Sequence, residues 1–456
     1  MRRPILFPIE TINRELDYRL ALAVLTATPE RRIYIGQHAR LHRLVREFRG
    51  GVYVGKNVMR SSPPKVGSEY RLLKSQGFSV VYLHEEGAVF KGQESDWRSK
   101  LETTYDPTLF ADDDLICEWG RFQAEHDAKR APERSPQLRV TGHPRFDLHK
   151  PEMHSYFDED ARRLANRFGR FVMVDTNFAR ANHGLGPAPR FYGSTEGLSE
   201  QFKADLDAWA YAARAMADMV HLVWVLSRAF PQLVFVVRPH PSEDWGHYRR
   251  VFRGADNVVV AHEGPASPWL LAAEAVIHNG CTTGIEARFG GTPVLSFDSP
   301  VDRRHSSHLP NAVGAPIESI DQAVHRLHSL LGNADAFDWP DVTERERQLL
   351  HNFEGDAFLE VSKAIDEAET NIKGQPHDPG LLQLGGRQWT RQAGMMAKRP
   401  VSWIHPAKRS KLRYSRNKFY GLSRSIVDSK LAVLQEQFGR TIQRHYLSSE
   451  LIAIDG

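Results

Sequence analysis

The chain has 456 residues, of which 41% are hydrophobic and 25% charged, a composition typical of a globular protein too long for one ordinary core. Two cysteines, Cys117 and Cys281, are too few and too far apart in sequence for a disulfide framework or a zinc site, which fits a reducing cytoplasm. No signal-peptide segment and no uncharged apolar run of about 18 residues occur, so we expect a cytoplasmic protein without a transmembrane helix.

The first third of the chain alternates short apolar runs with amphipathic stretches of helical periodicity. In the first predicted helix, for example, Leu16, Leu20, Ala23 and Val24 recur at helical spacing. This alternation predicts a parallel sheet with helices on both faces, and we assign residues 1–150 to a first Rossmann-like domain. Its predicted strands cover residues 4–10, 31–37, 50–57, 78–87, 114–120 and 137–147.

The same alternation restarts after a polar break at residues 148–168 and predicts a second doubly wound domain over 165–370, closed by a helix around 343–369. A linker follows at 374–380. The fold class is therefore α/β, with two Rossmann-like domains facing across a cleft lined by strand ends, where such folds bind ligands. The predicted strands of the second domain cover residues 170–177, 232–241, 257–262, 275–280 and 292–298.

The stretch HNGCTTGIEARFGGTPVLSF (278–297) places small and polar residues between a strand and a helix. Threonine hydroxyls and free first-turn amides at a helix start predict an anion site, and a glutamate one turn later is placed to reach ribose hydroxyls. The alternative is an ordinary helix cap followed by an acid that complements the helix dipole. The residues concerned are His278, Asn279, Gly280, Thr282, Thr283 and Glu286.

A second strand of the same domain ends in VVRPHPSED (236–244). Arg238 supplies a charge-assisted donor for phosphate, and His240 supplies a donor that can also protonate a leaving phosphate. The alternative is a structural loop. Because both loops end strands of one predicted sheet, together they favour a site for a nucleotide phosphate.

Two segments of the first domain carry candidate catalytic groups. Glu85 and Glu86 lie at the end of the predicted fourth strand and are placed for acid/base chemistry on a sugar, although a solvated acidic turn fits equally well. Asp147 lies at the end of the last predicted strand of this domain. The acidic run at 111–115 is a weak match to a metal-binding Asp-x-Asp, so we expect no metal and no resident cofactor.

The ordered series RPHPSED, HNGCTTGIEARFGGTPVLSF, LHEEG, WGRFQ and VTGHPRFDL resembles bacterial surface-carbohydrate (capsule and O-antigen) biosynthesis proteins. The chain is similar in these motifs to capsule-type Kdo transferases and, more remotely, to CDP-glycerol glycerophosphotransferases. The resemblance spans about residues 5–370. It implies a metal-independent GT-B glycosyltransferase with the nucleotide-sugar donor, possibly a CMP-linked 3-deoxy-2-ulosonic acid, on the second domain and a glycan or glycolipid acceptor on the first.

Carried onto this sequence, the resemblance makes Glu86 the catalytic acidic residue facing the reacting sugar and Asp147 a secondary catalytic candidate. His240 is the third catalytic candidate, because it can also protonate the leaving phosphate. Arg238 and His240, together with Thr282 and Thr283, would hold the donor phosphate, and Glu286 the ribose. Two other functions stay open: a non-catalytic GT-B-like scaffold in a polysaccharide assembly complex, and a nucleotide-sugar 2-epimerase.

Residues 379–456 form a basic, aromatic C-terminal extension. Residues 379–427 contain eleven Lys and Arg and no Asp or Glu, so the rest of the chain carries −7 although the whole carries +4. Interleaved basic and aromatic residues favour docking of residues 387–424 on an anionic surface, which predicts a peripheral protein of the inner membrane. Packing of the extension onto the acidic body ranks second, and nucleic-acid binding is the least favoured.

Overall fold

Strands and helices alternate along the computed structural model as the apolar periodicity predicts. The structure describes residues 2–60, 63–186, 200–299, 301–333, 337–372, 374–386 and 418–456. No helix in these ranges is both long and apolar enough to cross a membrane. The strands are β1 (Arg3–Ile9), β2 (Arg31–Gln37), β3 (Val52–Val54), β4 (Met59–Arg60), β5 (Lys65–Val66), β6 (Ser79–Leu83), β7 (Leu115–Glu118), β8 (Leu138–Val140), β9 (Phe171–Asp175), β10 (Val234–Arg238), β11 (Val258–Val260), β12 (Ala275–His278), β13 (Val294–Phe297), β14 (Ala315–Ile317), β15 (Gln443–Ser448) and β16 (Leu451–Asp455).

The helices follow the strands at the positions expected of βα units. They are α1 (Ile12–Thr26), α2 (His38–Leu44), α3 (Ser68–Ser75), α4 (Glu94–Thr104), α5 (Arg121–Arg130), α6 (Pro144–Asp147), α7 (Asp158–Phe168), α8 (Glu200–Ala229), α9 (Trp245–Val251), α10 (Ser267–Ala272), α11 (Thr283–Phe289), α12 (His308–Ala312), α13 (Ile320–Gly332), α14 (Glu344–Leu349), α15 (Ala357–Thr370) and α16 (Arg424–Phe438).

The chain divides into two compact units. Unit 1 comprises Met1–Ala88, Arg98–Leu148 and Arg347–Gly456, and unit 2 comprises Val89–Trp97 and His149–Glu346. Each unit contains one large sheet with parallel strands, so the predicted α/β class with two doubly wound sheets is confirmed. That the two domains face each other across a cleft stays a prediction.

The sheet of unit 1 has the order β15-β16-β2-β1-β3-β6-β7-β8. Its strands β2-β1-β3-β6-β7-β8 run parallel, and their order reverses direction between β1 and β3. Such a reversal creates a crevice at the carboxyl ends of the strands, which is the usual ligand site of a doubly wound sheet.

The sheet of unit 2 has the order β11-β10-β9-β12-β13-β14, which is 3-2-1-4-5-6 in chain order. Alternate residues of β9 point into different apolar clusters: Val172 and Val174 pack with one, and Phe171 and Met173 with the other. Burial on both faces explains why the strands read as unbroken apolar runs in the sequence.

The C-terminal part of the chain belongs to unit 1, which differs from the predicted segments 165–370 and 379–456. The helix predicted around 343–369 is divided into α14 and α15, and α15 packs against α1 of unit 1. Strand β16 pairs antiparallel with β2, with Ile452 opposite Ile35 and Ile454 opposite Ile33. These non-local hydrogen bonds and apolar contacts join the end of the chain to the first sheet.

The basic extension is described only at its two ends, because residues 387–417 lie outside the described ranges together with nine of its eleven basic residues. Lys418 pairs with Glu10 at 2.9 Å, and Lys430 of α16 pairs with the buried Asp17 of α1, also at 2.9 Å. For residues 418–456 the structure thus shows packing onto the body, the second-ranked prediction.

Candidate functional site

In the sheet of unit 2, the strands that follow β9 in the chain, β10 and β11, are added on one side of it, and β12 to β14 are added on the other side. The strand order therefore reverses between the neighbouring strands β9 and β12. The strands end in register there, with Asp175 of β9 aligned with Arg238 of β10 on one side and with His278 of β12 on the other. Parallel strands therefore bring a carboxyl, a guanidinium and an imidazole to one sheet edge. We call Asp175, Arg238, His278, Thr283 and Glu286 the switch-point cluster.

Asp175 is the most unusual member of the switch-point cluster. Its side chain is buried, and Oδ2 has no hydrogen-bond partner among the described residues. Burial raises the pKa of Asp175 to about 7; Glu286 adds to this effect, and Thr283 and Arg238 oppose it. A buried carboxyl with an unused oxygen is destabilising unless a ligand or water satisfies it.

The Thr283 hydroxyl lies close enough to Asp175 to favour its charged form, yet the pair falls outside hydrogen-bond geometry. Thr283 Oγ1 is consequently buried without a hydrogen-bond partner among the described residues. Glu286 is buried one turn later on α11, with a carboxyl oxygen 3.9 Å from Nε2 of His149. Two carboxyls and one hydroxyl thus meet beside the strand ends.

His278 shapes the turn between β12 and α11. Its Nδ1 accepts a hydrogen bond from the Cys281 amide at 3.1 Å, and its Nε2 lies 3.3 Å from Ser296 Oγ. Burial lowers the pKa of His278 to about 4, so the ring is neutral and donates through Nε2. Gly280 has a φ of 61°, a conformation that favours glycine in this turn.

Most backbone amides of this turn already donate hydrogen bonds within the chain, whereas the sequence analysis predicted free first-turn amides. The Gly280 amide donates to Asn311 Oδ1 at 2.8 Å, and Asn279 Nδ2 donates to the Phe297 carbonyl at 2.8 Å. The amides of residues 284–286 donate to carbonyls of residues 281 and 282. Thr282 makes no side-chain capping bond, so a ligand here would meet threonine hydroxyls and the buried carboxyls.

Arg238 and His240, the predicted phosphate ligands, both have contacts within unit 2. The Arg238 guanidinium donates to the carbonyls of Glu263 (3.1 Å) and Gly264 (2.5 Å) and lies over the Trp269 ring. His240 Nδ1 accepts a hydrogen bond from the Ser242 amide at 3.2 Å. Arg238 therefore adds positive charge beside Asp175, while its guanidinium nitrogens are hydrogen-bonded to the loop at residues 263–264.

Glu243, which the sequence analysis did not single out, organises the loop after β10. Its buried carboxyl accepts hydrogen bonds from Thr176 Oγ1 (2.9 Å), from the amides of Phe178 (3.2 Å) and His240 (3.1 Å), and from the Tyr248 hydroxyl. Burial raises the pKa of Glu243 to about 7 despite these donors. These contacts give Glu243 a positioning role for His240.

In unit 1 the two adjacent glutamates after β6 lie in opposite environments. Glu85 is buried, with the Tyr18 hydroxyl at 2.5 Å, Arg19 at 3.5 Å and His143 at 3.5 Å. Burial alone would raise the pKa of Glu85, but His143, Arg14, Lys56 and Arg19 together hold it well below its usual range. Glu85 is therefore an ionised member of a buried charge network.

Glu86, the predicted catalytic carboxylate, is exposed and forms a 3.1 Å ion pair with Arg14. Burial raises the pKa of Glu86, but Arg14, Lys56 and His84 together lower it by more, so the net shift is downward. Glu86 is thus an accessible carboxylate at the end of β6, ionised at neutral pH.

Asp147, the secondary catalytic candidate, is buried and accepts hydrogen bonds from Asn352 Nδ2 (2.9 Å) and from the amides of Ala357 (2.5 Å) and Phe358 (3.2 Å). These bonds satisfy the first turn of α15, which is a capping role. In the acidic run at 111–115, Asp113 and Asp114 both pair with Lys74, at 2.7 and 2.8 Å.

The sequence contained a signal for one of the missed residues. Asp175 is the first charged residue after the apolar run FVMV, as Arg238 is after VFVV, and strand-end position alone marks both. Glu85 and Glu86 were identified together, but their difference in burial depends on how the chain turns after Leu83. No local pattern distinguishes Glu243 from the acids around it.

Neither a family model nor a curated protein matches the chain. Among solved structures it is similar to MnaA of S. aureus in a co-structure with UDP, at 12% identity and a TM-score of 0.47, covering 83% of this chain and 100% of that one. The wall teichoic acid polymerase TagF is similar at 12% identity and a TM-score of 0.46, covering 82% of this chain and 90% of that one. A UDP-N-acetylglucosamine 2-epimerase is similar at 13% identity and a TM-score of 0.48, covering 83% and 100%. Because these identities and TM-scores are low, the fold assignment rests on the strand order and register of this chain.

Proposed function

We propose that the chain is a glycosyltransferase that takes a sugar from a nucleotide donor held at the switch-point cluster of unit 2. The observation that carries the proposal is the buried Asp175 carboxyl with its unpartnered Oδ2 at the order reversal of a 3-2-1-4-5-6 sheet. Ligands of such sheets bind at this crevice. Asp175 and Glu286 offer hydrogen-bond acceptors for ribose or sugar hydroxyls, and the hydroxyls of Thr282 and Thr283 offer donors for phosphate.

The leaving phosphate gains negative charge as the glycosidic bond breaks, and fixed positive groups nearby stabilise that charge. Arg238 supplies such a charge at the end of β10, and His240 supplies a proton donor on the loop that Glu243 holds. Glu86 is the carboxylate that we assign to the acceptor hydroxyl. Its lowered pKa makes it a weak base, so its contribution is to orient the hydroxyl and to stabilise developing positive charge. Asp147 receives no catalytic role in this proposal.

A CMP-linked 3-deoxy-2-ulosonic acid is the first donor to test, with UDP-, GDP- and CDP-linked sugars beside it. The experiment incubates the chain with each donor, with and without methyl glycoside acceptors, and measures free nucleotide and altered donor sugar. A transferase releases nucleotide only when acceptor is present. A nucleotide-sugar 2-epimerase converts the donor without net release, and a scaffold does neither; both outcomes overturn the proposal.

For the basic segment, we propose docking on an anionic membrane surface. The proposal rests on the sequence, since residues 387–417 lie outside the described ranges. Each basic residue near such a surface contributes about 1 kcal/mol, and the attraction is screened by salt. Co-sedimentation with phosphatidylglycerol vesicles that weakens at high salt supports docking, and equal binding to uncharged phosphatidylcholine vesicles contradicts it.

A further inference from the structure

Unit 1 contains a cavity of about 630 Å³ that runs along α2 and the residues just after it and borders the start of α3. This volume lies within the range of about 300–1,000 Å³ typical of small-molecule sites. None of its lining residues belongs to the candidate residues discussed above. They are His38, Ala39, His42, Arg43, Arg46, Glu47, Ser68, Glu69 and Leu72.

Two histidines one helical turn apart dominate this cavity. The rings of His38 and His42 have centroids 5.1 Å apart, and His42 stacks on Tyr53 of β3 at 6.1 Å. His42 is only 9% exposed, yet neither of its ring nitrogens has a hydrogen-bond partner among the described residues. Nε2 of His38 and the Tyr53 hydroxyl are likewise buried without a hydrogen-bond partner among the described residues. Unsatisfied buried groups next to a cavity need hydrogen-bond partners from water or from a ligand.

The charges of the lining favour a neutral ligand. Burial lowers the pKa of both histidines, to about 4 for His42, so at neutral pH each ring offers one donor and one acceptor. Arg43 and Arg46 are balanced by Glu47 and Glu69, which leaves no net charge to attract a phosphate. Glu69 is held as a carboxylate, accepting a 2.8 Å hydrogen bond from Ser68 Oγ.

A bound metal fits this lining less well. Within the described ranges, no three His, Cys, Asp or Glu side chains are placed to hold a metal ion. Hydroxyl groups, in contrast, both donate and accept hydrogen bonds, which matches neutral imidazoles beside a carboxylate and arginines.

We propose that this cavity binds the hydroxyls of a neutral hexopyranose unit through His38, His42 and Glu69. If the transfer proposed above is correct, this sugar is part of the acceptor, and in that respect alone the inference rests on the proposed function. Binding itself needs neither the nucleotide nor the switch-point cluster.

The test is saturation-transfer-difference NMR on the full chain, with the methyl glycosides of glucose, galactose, mannose and N-acetylglucosamine as probes and no nucleotide added. We expect saturable binding of at least one glycoside. Its apparent Kd should rise by about tenfold or more in Glu69→Gln, because a hydrogen bond to a charged carboxylate is replaced by a weaker one to a neutral amide oxygen. His42→Gln should weaken binding similarly. Glu133→Gln, the same change at an exposed site of unit 1, should leave the Kd unchanged.

Three results overturn the inference: no glycoside binds saturably, binding is unchanged in Glu69→Gln, or inorganic phosphate or Zn²⁺ displaces the glycoside from the wild-type chain. A failure of the nucleotide experiments with glycoside binding intact contradicts the proposed function alone. Loss of glycoside binding with nucleotide binding intact contradicts only the present inference.

Discussion

Buried carboxyls in this chain differ in charge state because their neighbours differ. Beside two arginines, Glu85 is held ionised, whereas Asp175 and Glu243, buried with fewer cations, have pKa values raised to about 7. A third environment occurs in unit 1, where the Tyr105 hydroxyl lies between the carboxyls of Glu118 and Asp127. Because Tyr105 has one hydroxyl proton, ionising both carboxyls leaves one of these contacts without a hydrogen.

The buried pair of Glu118 and Asp127 predicts that the stability of the folded chain depends on pH. Burial and the neighbouring Asp127 raise the pKa of Glu118 from 4.5 to about 8. A folded-state pKa above the unfolded value means that stability falls as pH rises from about 4.5 through 8. We expect Glu118→Gln, which mimics the protonated form, to lose less thermal stability than wild type between pH 5 and pH 8.

Thermal unfolding at the two pH values measures this effect, with Glu133→Gln as the exposed control that should keep the wild-type pH dependence. An identical loss of stability in Glu118→Gln and wild type would contradict the raised pKa of Glu118 on which this prediction rests.

A second prediction at the residue scale concerns Thr283, whose buried hydroxyl has no partner within the described chain. Thr283→Val keeps the shape of the side chain and removes only the hydroxyl. We expect nucleotide affinity to fall by about fivefold to tenfold, equivalent to roughly 1 kcal/mol, with little change in thermal stability. Thr103→Val, on the exposed side of α4, is the control that should change neither quantity.

At the scale of elements, α15 depends on a cap from a distant segment. Asp147 accepts hydrogen bonds from its first-turn amides and from Asn352, while Asp356 caps the helix locally at the Leu359 amide. We expect Asp147→Asn to lower the free energy of unfolding by about 1–2 kcal/mol and to leave nucleotide binding unchanged. Chemical denaturation and a nucleotide titration check the two parts. Loss of turnover without loss of stability would instead return Asp147 to a catalytic role.

Strand β16 gives a prediction at the same scale. Leu451 is fully buried on this strand, whereas Leu382 is 95% exposed. Leu451→Ala should lower the free energy of unfolding of unit 1 by about 2–5 kcal/mol, and Leu382→Ala should change it by less than about 0.5 kcal/mol. Equal effects of the two substitutions in denaturant titrations would contradict the assignment of β16 to the first sheet.

At the scale of the whole molecule, the sequence predicted what depends on local patterns. The positions of the strands in the parallel parts of both sheets were predicted, except for the three-residue β14, because burial on both faces gives unbroken apolar runs. Strand β16 was missed, since its partner β2 lies more than 400 residues earlier in the chain and nothing local indicates the pairing. The single helix predicted around 343–369 is interrupted between α14 and α15, where Asn352 donates to the His143 carbonyl and Asp356 caps the start of α15 at the Leu359 amide.

The candidate site was predictable to a similar extent. Strand-end position identified Arg238, His278 and the glutamate pair, because parallel strands end at one edge of a sheet. Whether Arg238 Nη atoms bond to carbonyls or remain for a ligand, and whether Glu85 or Glu86 is buried, depends on loops whose conformations are set by contacts far away in sequence. Patterns of residue type do not contain that information.

Nucleotide binding at the switch-point cluster is the central claim, and isothermal titration of the full chain with CMP, CDP, UDP and GDP tests it most directly. The account predicts that one nucleotide binds at a single site, and that Asp175→Asn and Thr283→Val each weaken its binding while the exposed Thr103→Val does not. Binding of no nucleotide by a folded wild-type chain, or binding that is unchanged in both switch-point variants, would contradict it.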